Sequence, residues 1–144
     1  MINNVQFDLP NSSCLSEEYW KSWYDHWVNE VPLRYFRYIV RSSDGIFIGV
    51  VSFQKDINAD LYDDVYNISI IIENQYRCNG YGRETLELSL AFAFSELGAA
   101  SVQNRFDSYK QDALKIHLYT GFNIRQEKHT CLASISKSKY LRKY

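Results

Sequence analysis

Two glycines spaced two residues apart carry the clearest chemical signal in the sequence. Gly80 and Gly82 follow the apolar run of residues 68–72 and precede a segment with a helical pattern. Glycine lets a backbone approach a ligand closely, and the first turn of a helix presents unpaired N–H groups at the positive end of the helix dipole. The sequence therefore predicts a cradle of backbone N–H groups for a diphosphate.

Two familiar phosphate-binding motifs do not fit this junction. The chain contains no Gly-x-x-x-x-Gly-Lys-Ser/Thr sequence, which excludes a P-loop of the Walker type. Thr85 stands where the third glycine of Gly-x-Gly-x-x-Gly would be, so a dinucleotide-binding fold is not supported. The pattern that remains is Arg77-x-x-Gly80-x-Gly82, placed between a strand and a helix.

The hydrophobic pattern predicts the elements that position this turn. Residues 65–73 form a strand whose continuous apolar run predicts that both of its faces are covered. Residues 83–97 form a helix with a buried stripe of leucine, alanine and phenylalanine, and Gly98 ends it. The other predicted elements are a helix over 15–30, strands over 5–9, 35–41, 46–53, 101–106, 122–125 and 130–136, and a helix over 110–119. This order predicts an α/β (α+β) domain with a mixed sheet.

The turn and its surroundings resemble one known family. Arg77-x-x-Gly80-x-Gly82 is similar to the coenzyme A pyrophosphate loop of the GNAT N-acetyltransferases, and the helix that closes in Gly121-Phe122 resembles the last helix of that family. The resemblance covers about residues 35–135, and within the family it is to the RimI/RimL-like bacterial acetyltransferases. It implies one domain over residues 1–144 with a mixed, mostly antiparallel sheet, splayed central strands, helices on both faces and a basic C-terminal tail at 137–144.

The resemblance also implies acetyl-CoA as the cosubstrate. Its diphosphate would lie on the backbone of the loop, with help from the side chain of Arg77. A backbone N–H of Ile71 or Ile72 would polarise the acetyl carbonyl. Lys110 stands where the family often has an asparagine that contacts the cofactor. The loop residues expected to bind it are Cys78, Asn79, Gly80, Tyr81, Gly82 and Arg83.

Four residues are candidates for proton transfer. His117 aligns with a tyrosine that many members of the family carry, and an unperturbed histidine exchanges protons near neutral pH. Tyr119 is the reserve candidate for the acid. Glu73 follows the central strand and could act as a base through water, as could Asp107. A surface role for each carboxylate is the alternative.

The acceptor side is less defined by the sequence. Trp23, Tyr24 and Trp27 fall on one helical face, which is typical of a core and would also suit a cation–π wall for an amine. The expected acceptor is a primary amine, either on a small molecule or at a peptide N-terminus. A homodimer could complete a short acceptor pocket. The rival interpretation is a coenzyme A-binding module with impaired catalysis, favoured by Asn67, which occupies a position where related sequences often have glutamate.

Composition limits the remaining function classes. The 144 residues carry 16 Lys and Arg against 17 Asp and Glu, so net charge does not favour nucleic acid or anionic membranes. No apolar run is long enough to span a bilayer, and the N-terminal residues do not resemble a signal peptide. Cys14, Cys78 and Cys131 are expected to be reduced thiols of a cytoplasmic protein. The histidines and cysteines have no spacing that suits a metal site.

Overall fold

The computed structural model describes residues 4–8, 34–56 and 64–144. The predicted helix over 15–30, with Trp23, Tyr24 and Trp27, lies outside the described residues, as does Cys14. The described strands are Val5–Asp8 (β1), Arg34–Arg41 (β2), Phe47–Lys55 (β3), Val65–Ile72 (β4), Ser101–Asp107 (β5), Asn123–Gln126 (β6) and Thr130–Ser136 (β7). The described helices are Tyr81–Ser95 (α1), Gln111–Thr120 (α2) and Lys137–Lys143 (α3), with a short 3₁₀ turn at Asn74–Tyr76.

The described strands form one sheet in the order β1-β2-β3-β4-β5-β7-β6. All neighbouring pairs are antiparallel except β4 and β5, which run parallel because α1 connects them as a crossover. The prediction of a mixed, mostly antiparallel sheet is confirmed. β2 buries Phe36 and Tyr38 on one face and Ile39 on the other, so the sheet is covered on both faces there.

The two parallel strands separate along most of their length. β4 and β5 pair only where residues 65–67 lie beside residues 101–103. β4 remains paired with β3 as far as Ile72, which lies opposite Gly49, and β5 pairs with β7 along all of its residues. Residues 68–72 of β4 therefore have no partner on the β5 side. This confirms the predicted splay, and we call the gap the wedge.

The prediction that β4 is covered on both faces is wrong. Tyr66, Ile68 and Ile72 are buried and Ile70 packs against the same cluster, whereas the alternate residues are exposed, Ile71 by 40%. Side chains alternate between the faces of a strand, so a run of apolar residues is not evidence that both faces are covered. Asn67 and Ser69, which lie on the exposed face, are the polar residues that mark it in the sequence.

The described helices share one hydrophobic cluster with the sheet. α1 contributes Leu86, Leu90, Ala93 and Phe94, which are four of the five residues of the predicted stripe; the fifth, Leu97, lies just beyond the helix and is partly buried. Residues 137–144, which we predicted as a basic tail, instead form α3 and the residue that follows it. The Ser136 hydroxyl caps this helix by accepting a hydrogen bond from Lys139 N at 3.2 Å. The Tyr140 ring lies 4.9 Å from the Phe94 ring, so an apolar anchor holds this basic segment against the domain.

Candidate active site

The loop between β4 and α1 has a backbone shape that its own residues maintain. Cys78 has a φ of 65° and Gly80 a φ of 82°, both in the left-handed region. The Asn79 side-chain amide donates hydrogen bonds to the carbonyls of Tyr76 and Arg77, each at 3.1 Å. Gly80 is the N-cap of α1, and no side chain caps the helix there. The sequence therefore builds an open turn instead of a capped helix start.

The N–H groups of this loop are the main chemical feature of the site. The first hydrogen bond of α1 runs from Glu84 N to the Gly80 carbonyl, at 3.2 Å. Across the part of the chain that the structure describes, no group accepts a hydrogen bond from the N–H groups of residues 78–83. Six successive donors thus stay free at the positive end of a 15-residue helix, which is a favourable site for an anion.

Two arginines stabilise the loop from its base. The Arg77 Nε donates to the Ile72 carbonyl at 3.0 Å, which ties the loop to the last residue of β4. Arg41 forms a bidentate ion pair with Asp44 and lies 5.5 Å from the centre of the Tyr76 ring. Hydrogen bonds with Asp44 and with the Tyr81 hydroxyl raise the pKa of Arg41. No sequence spacing pointed to Arg41, because the sheet register alone brings it to the loop.

Strand register determines which N–H groups point into the wedge. Asp56 N bonds to the Val65 carbonyl at 2.7 Å, and Glu73 N bonds to the Ile48 carbonyl at 2.8 Å. The register between these two bonds is unbroken, so the N–H of Ile71 points toward β3. The N–H of Ile72, one residue on, points away from β3 and into the wedge. Of the two predicted residues, Ile72 is therefore the one with an N–H available to a ligand.

His117 occupies a buried position between aromatic rings. Its side chain is 3% exposed, and its ring centre lies 4.9 Å from those of both Phe106 and Phe122. Nδ1 is 2.7 Å from the Ala113 carbonyl, which can only accept, so Nδ1 carries the proton. Nε2, 3.1 Å from the Asn104 amide, then accepts from it. Burial lowers the pKa of His117, so the ring is neutral at pH 7 and Nε2 has no proton to donate.

The lowered pKa of His117 makes stability depend on pH in a defined direction. The unfolded chain, with an ordinary histidine pKa near 6.5, takes up a proton more readily than the folded one, so stability falls as pH drops below about 6.5. We expect the free energy of unfolding, measured in urea, to fall by up to about 1.4 kcal/mol per pH unit in this range. His117→Gln should lose this component, whereas His129→Gln, at an exposed histidine, should retain it. Parallel pH profiles of wild type and His117→Gln would contradict the assignment.

The other predicted residues, Glu73, Lys110 and Tyr119, occupy three different places around the wedge and the loop. Glu73 directly follows β4 and is half-buried, with its carboxylate accepting a hydrogen bond from Gln75 Nε2 at 3.2 Å. Lys110 is exposed at the N-cap of α2. Tyr119 is 58% exposed, and its ring faces Arg83 in the loop at 4.6 Å. The structure therefore places Glu73 at the end of the wedge, and Tyr119 beside the loop.

Comparison with known proteins identifies the family. A model of the acetyltransferase (GNAT) domain matches residues 4–123. The chain therefore belongs to the GNAT acetyltransferases, enzymes that use acetyl-CoA as their acetyl donor. No curated protein sequence matches it.

Solved structures share this fold at low sequence identity. Spermidine N-acetyltransferase from Vibrio cholerae, in complex with CoA and spermine, has a TM-score of 0.70 and 17% identity over 84% of this chain and 75% of its own. The dodecameric form of that enzyme has a TM-score of 0.72 and 14% identity over 96% of each chain. Apo FdhC, described as a nucleotide-linked sugar GNAT, has a TM-score of 0.70 and 17% identity over 96% of this chain and 88% of its own.

Two kinds of feature are absent from the described ranges: a membrane-spanning helix and a metal-binding group of side chains. No helix in them is long and apolar enough to cross a membrane. Nor do three or more His, Cys, Asp or Glu side chains come together there as a metal site would require.

Proposed function

We propose that this acetyltransferase moves the acetyl group of acetyl-CoA to a primary amine by direct attack within a ternary complex. The single observation that carries the proposal is that two backbone features lie next to each other. Six free N–H groups occupy the loop and the first turn of α1, and the unpaired edge of β4 ends just before that loop. The first suits the diphosphate of the cofactor. The second gives its thioester arm an extended backbone to lie along.

The chemistry assigned to the wedge is stabilisation of the reacting carbonyl. The amine nitrogen bonds to the acetyl carbon, the carbon–sulfur bond breaks, and coenzyme A leaves as a thiolate. The Ile72 N–H is the donor we assign to the developing oxyanion, because it points into the wedge and has no partner on the β5 side. Arg77 donates to the Ile72 carbonyl, which belongs to the next peptide group along the chain, and so ties the loop to the residue that carries this N–H.

Proton transfer then falls to water and to Glu73. A neutral His117 with Nε2 unprotonated does not supply a proton to the thiolate. A thiolate whose conjugate acid has a pKa near ~8.5 can leave unprotonated and take a proton from solvent. Glu73, at the end of the wedge, is the base we propose for the amine proton. Tyr119 stays the reserve acid, although its ring lies beside the loop.

The acceptor we propose is a small amine or a peptide N-terminus. The likeness to a spermidine N-acetyltransferase supports a small amine, and the likeness to a nucleotide-linked sugar GNAT supports a wider range of amines. The predicted aromatic wall of Trp23, Tyr24 and Trp27 stays part of the proposal. The dodecameric relative supports testing whether copies of this chain assemble.

A coenzyme A-binding module without turnover is the second candidate. The burial of His117 and the amide Asn67, in place of a carboxylate on the exposed face of β4, favour it. Both candidates require cofactor binding at the loop, so binding alone does not separate them.

Thiol release from acetyl-CoA across a panel of amines separates the two candidates. We expect acetyl-CoA at 100 times its Kd to stabilise the fold by about 2.7 kcal/mol, and at least one amine to accelerate thiol release. The panel includes spermidine, amino-sugar nucleotides and peptides with free N-termini, with N-acetylated peptides as the matched control. Stabilisation without release by any amine would support the binding module. No stabilisation would overturn both.

A further inference from the structure

A cluster of cations and aromatic rings lies directly beside the loop. Arg83, in the first turn of α1, places its guanidinium carbon 4.6 Å from the centre of the Tyr119 ring. The Lys143 ammonium, from α3, lies 5.5 Å from the same ring and 5.5 Å from the Tyr144 ring. We call Arg83, Tyr119 and Lys143 the basic platform. Three segments far apart in the sequence thus bring two positive charges against one ring.

Contacts with the end of α2 hold Lys143 in position. Gly121, with a φ of 102°, ends α2 in the left-handed conformation. A Cβ atom there would come within 3.2 Å of Lys143 Cδ, so the glycine also makes room for the lysine stem. The ammonium donates to the Tyr119 carbonyl, and the Tyr144 hydroxyl donates to the Thr120 carbonyl at 3.4 Å. The C-terminal helix therefore delivers Lys143 to the end of α2 through several specific contacts.

The charges of the platform are incompletely balanced. Glu87 is the ionic partner of Arg83, but the atoms are 3.9 Å apart and both side chains are partly exposed. Among the residues that the structure describes, no carboxylate forms an ion pair with Lys143. An ammonium has three donors, and the Tyr119 carbonyl uses one of them. Two cations that repel each other at one ring are a favourable place for an anion.

We propose that the basic platform binds the 3′-phosphate of coenzyme A, and that α3 is thereby part of the cofactor site. The inference rests on the proposed binding of the diphosphate at residues 78–83. Coenzyme A carries its 3′-phosphate on the ribose attached to that diphosphate, so the phosphate must lie near one end of the loop. Arg83 contributes the last of the free N–H groups and its side chain belongs to the platform, which makes the two anion sites adjacent. A phosphate monoester carries nearly two charges at pH 7 and is a stronger partner for Arg83 than Glu87 at 3.9 Å.

The test compares coenzyme A with dephospho-coenzyme A, which lacks only the 3′-phosphate. Binding of each is measured by isothermal titration calorimetry. We expect the wild type to bind coenzyme A at least about tenfold more tightly, because charge-assisted hydrogen bonds to a phosphate contribute that much. Lys143→Met keeps the apolar stem and removes the charge, so the ratio of the two affinities should fall toward one. Dephospho-coenzyme A should bind this variant as it binds the wild type.

A matched control and a second variant complete the experiment. Lys137→Met removes the same charge from the same helix, but the Lys137 N–H bonds to the Ala100 carbonyl just before β5, at the far end of that strand from the wedge. Lys137→Met should keep the wild-type ratio of the two affinities.

A second variant serves if Lys143→Met does not fold. Arg83→Met, at a side chain 51% exposed, should also lower the ratio of the two affinities. An unchanged ratio in the folded variant, or no discrimination by the wild type, overturns the inference. Failure of both ligands to bind would instead overturn the proposed function and this inference with it.

Discussion

Replacing Cys78 with aspartate is expected to weaken acetyl-CoA binding by about tenfold to a hundredfold. The side chain is exposed, and Cys78 is the first of the six residues with free N–H groups. A carboxylate there would repel the incoming diphosphate. At the effective dielectric of a protein surface, charges a few ångströms apart interact by a few kcal/mol before screening by salt, which corresponds to this range. Calorimetric titration of each variant with acetyl-CoA measures the effect.

The chain offers an almost isosteric control for this substitution. Cys78→Asn has the same shape as Cys78→Asp without the charge. The backbone φ of 65° at this position suits both residues, because aspartate and asparagine adopt the left-handed region more readily than most residues. We therefore expect both variants to fold and Cys78→Asn to bind within a few-fold of the wild type. Equal affinity of the two variants would mean that the diphosphate does not lie on this loop.

Gly49→Ala is expected to lower the free energy of unfolding by about 2–4 kcal/mol, since it forces two backbones apart. Gly49 lies opposite Ile72 where β3 pairs with the end of β4. A Cβ atom on Gly49 would lie 2.1 Å from the Ile71 carbonyl oxygen, and this oxygen belongs to a backbone that cannot rotate away like a side chain. Urea denaturation followed by far-ultraviolet circular dichroism measures the loss.

Gly82→Ala is the matched comparison for Gly49→Ala. A Cβ at Gly82 would lie 3.9 Å from Ile116 Cδ1, an ordinary contact. Gly82 lies in the first turn of α1, where alanine is favoured over glycine by up to about 1 kcal/mol. The same chemical change should therefore have opposite signs at the two positions. A Gly49→Ala variant as stable as the wild type would show that β3 and β4 do not approach this closely at the wedge.

The sequence predicts the fold well where local signals agree with the tertiary structure. The bounds of β7 were predicted without error, and those of α2 were displaced by one residue, because turn residues or a glycine such as Gly121 mark their ends. The loop around Gly80 was also located from local features: an apolar strand, paired glycines and a helix. These are properties of consecutive residues, so a single sequence contains them.

The environment of the site depends on long-range contacts that the sequence does not encode locally. The sequence makes His117 a candidate for proton transfer through its alignment with the family's tyrosine, but it does not reveal that Asn104 and Phe106 from β5 enclose the ring. The choice between Ile71 and Ile72 depends on the register of β4 against β3. Residues 137–144 read as a tail because four of them are basic, whereas Tyr140, which carries the anchoring contact, looks unremarkable in the sequence.

The gap between β4 and β5 has a consequence for the behaviour of the protein in a crowded solution. A strand with unpaired N–H and carbonyl groups at the rim of a sheet invites pairing with another polypeptide, and this is a common start of aggregation. Here the unpaired stretch of β4 is internal to the sheet, five residues long, and closed at residues 65–67 by its pairing with β5. A foreign strand would therefore have to enter between two strands of the sheet, because this stretch is not at an outer edge where a strand can simply be added. The protein thus keeps unpaired backbone groups available to a ligand without presenting them at an outer edge to other protein molecules.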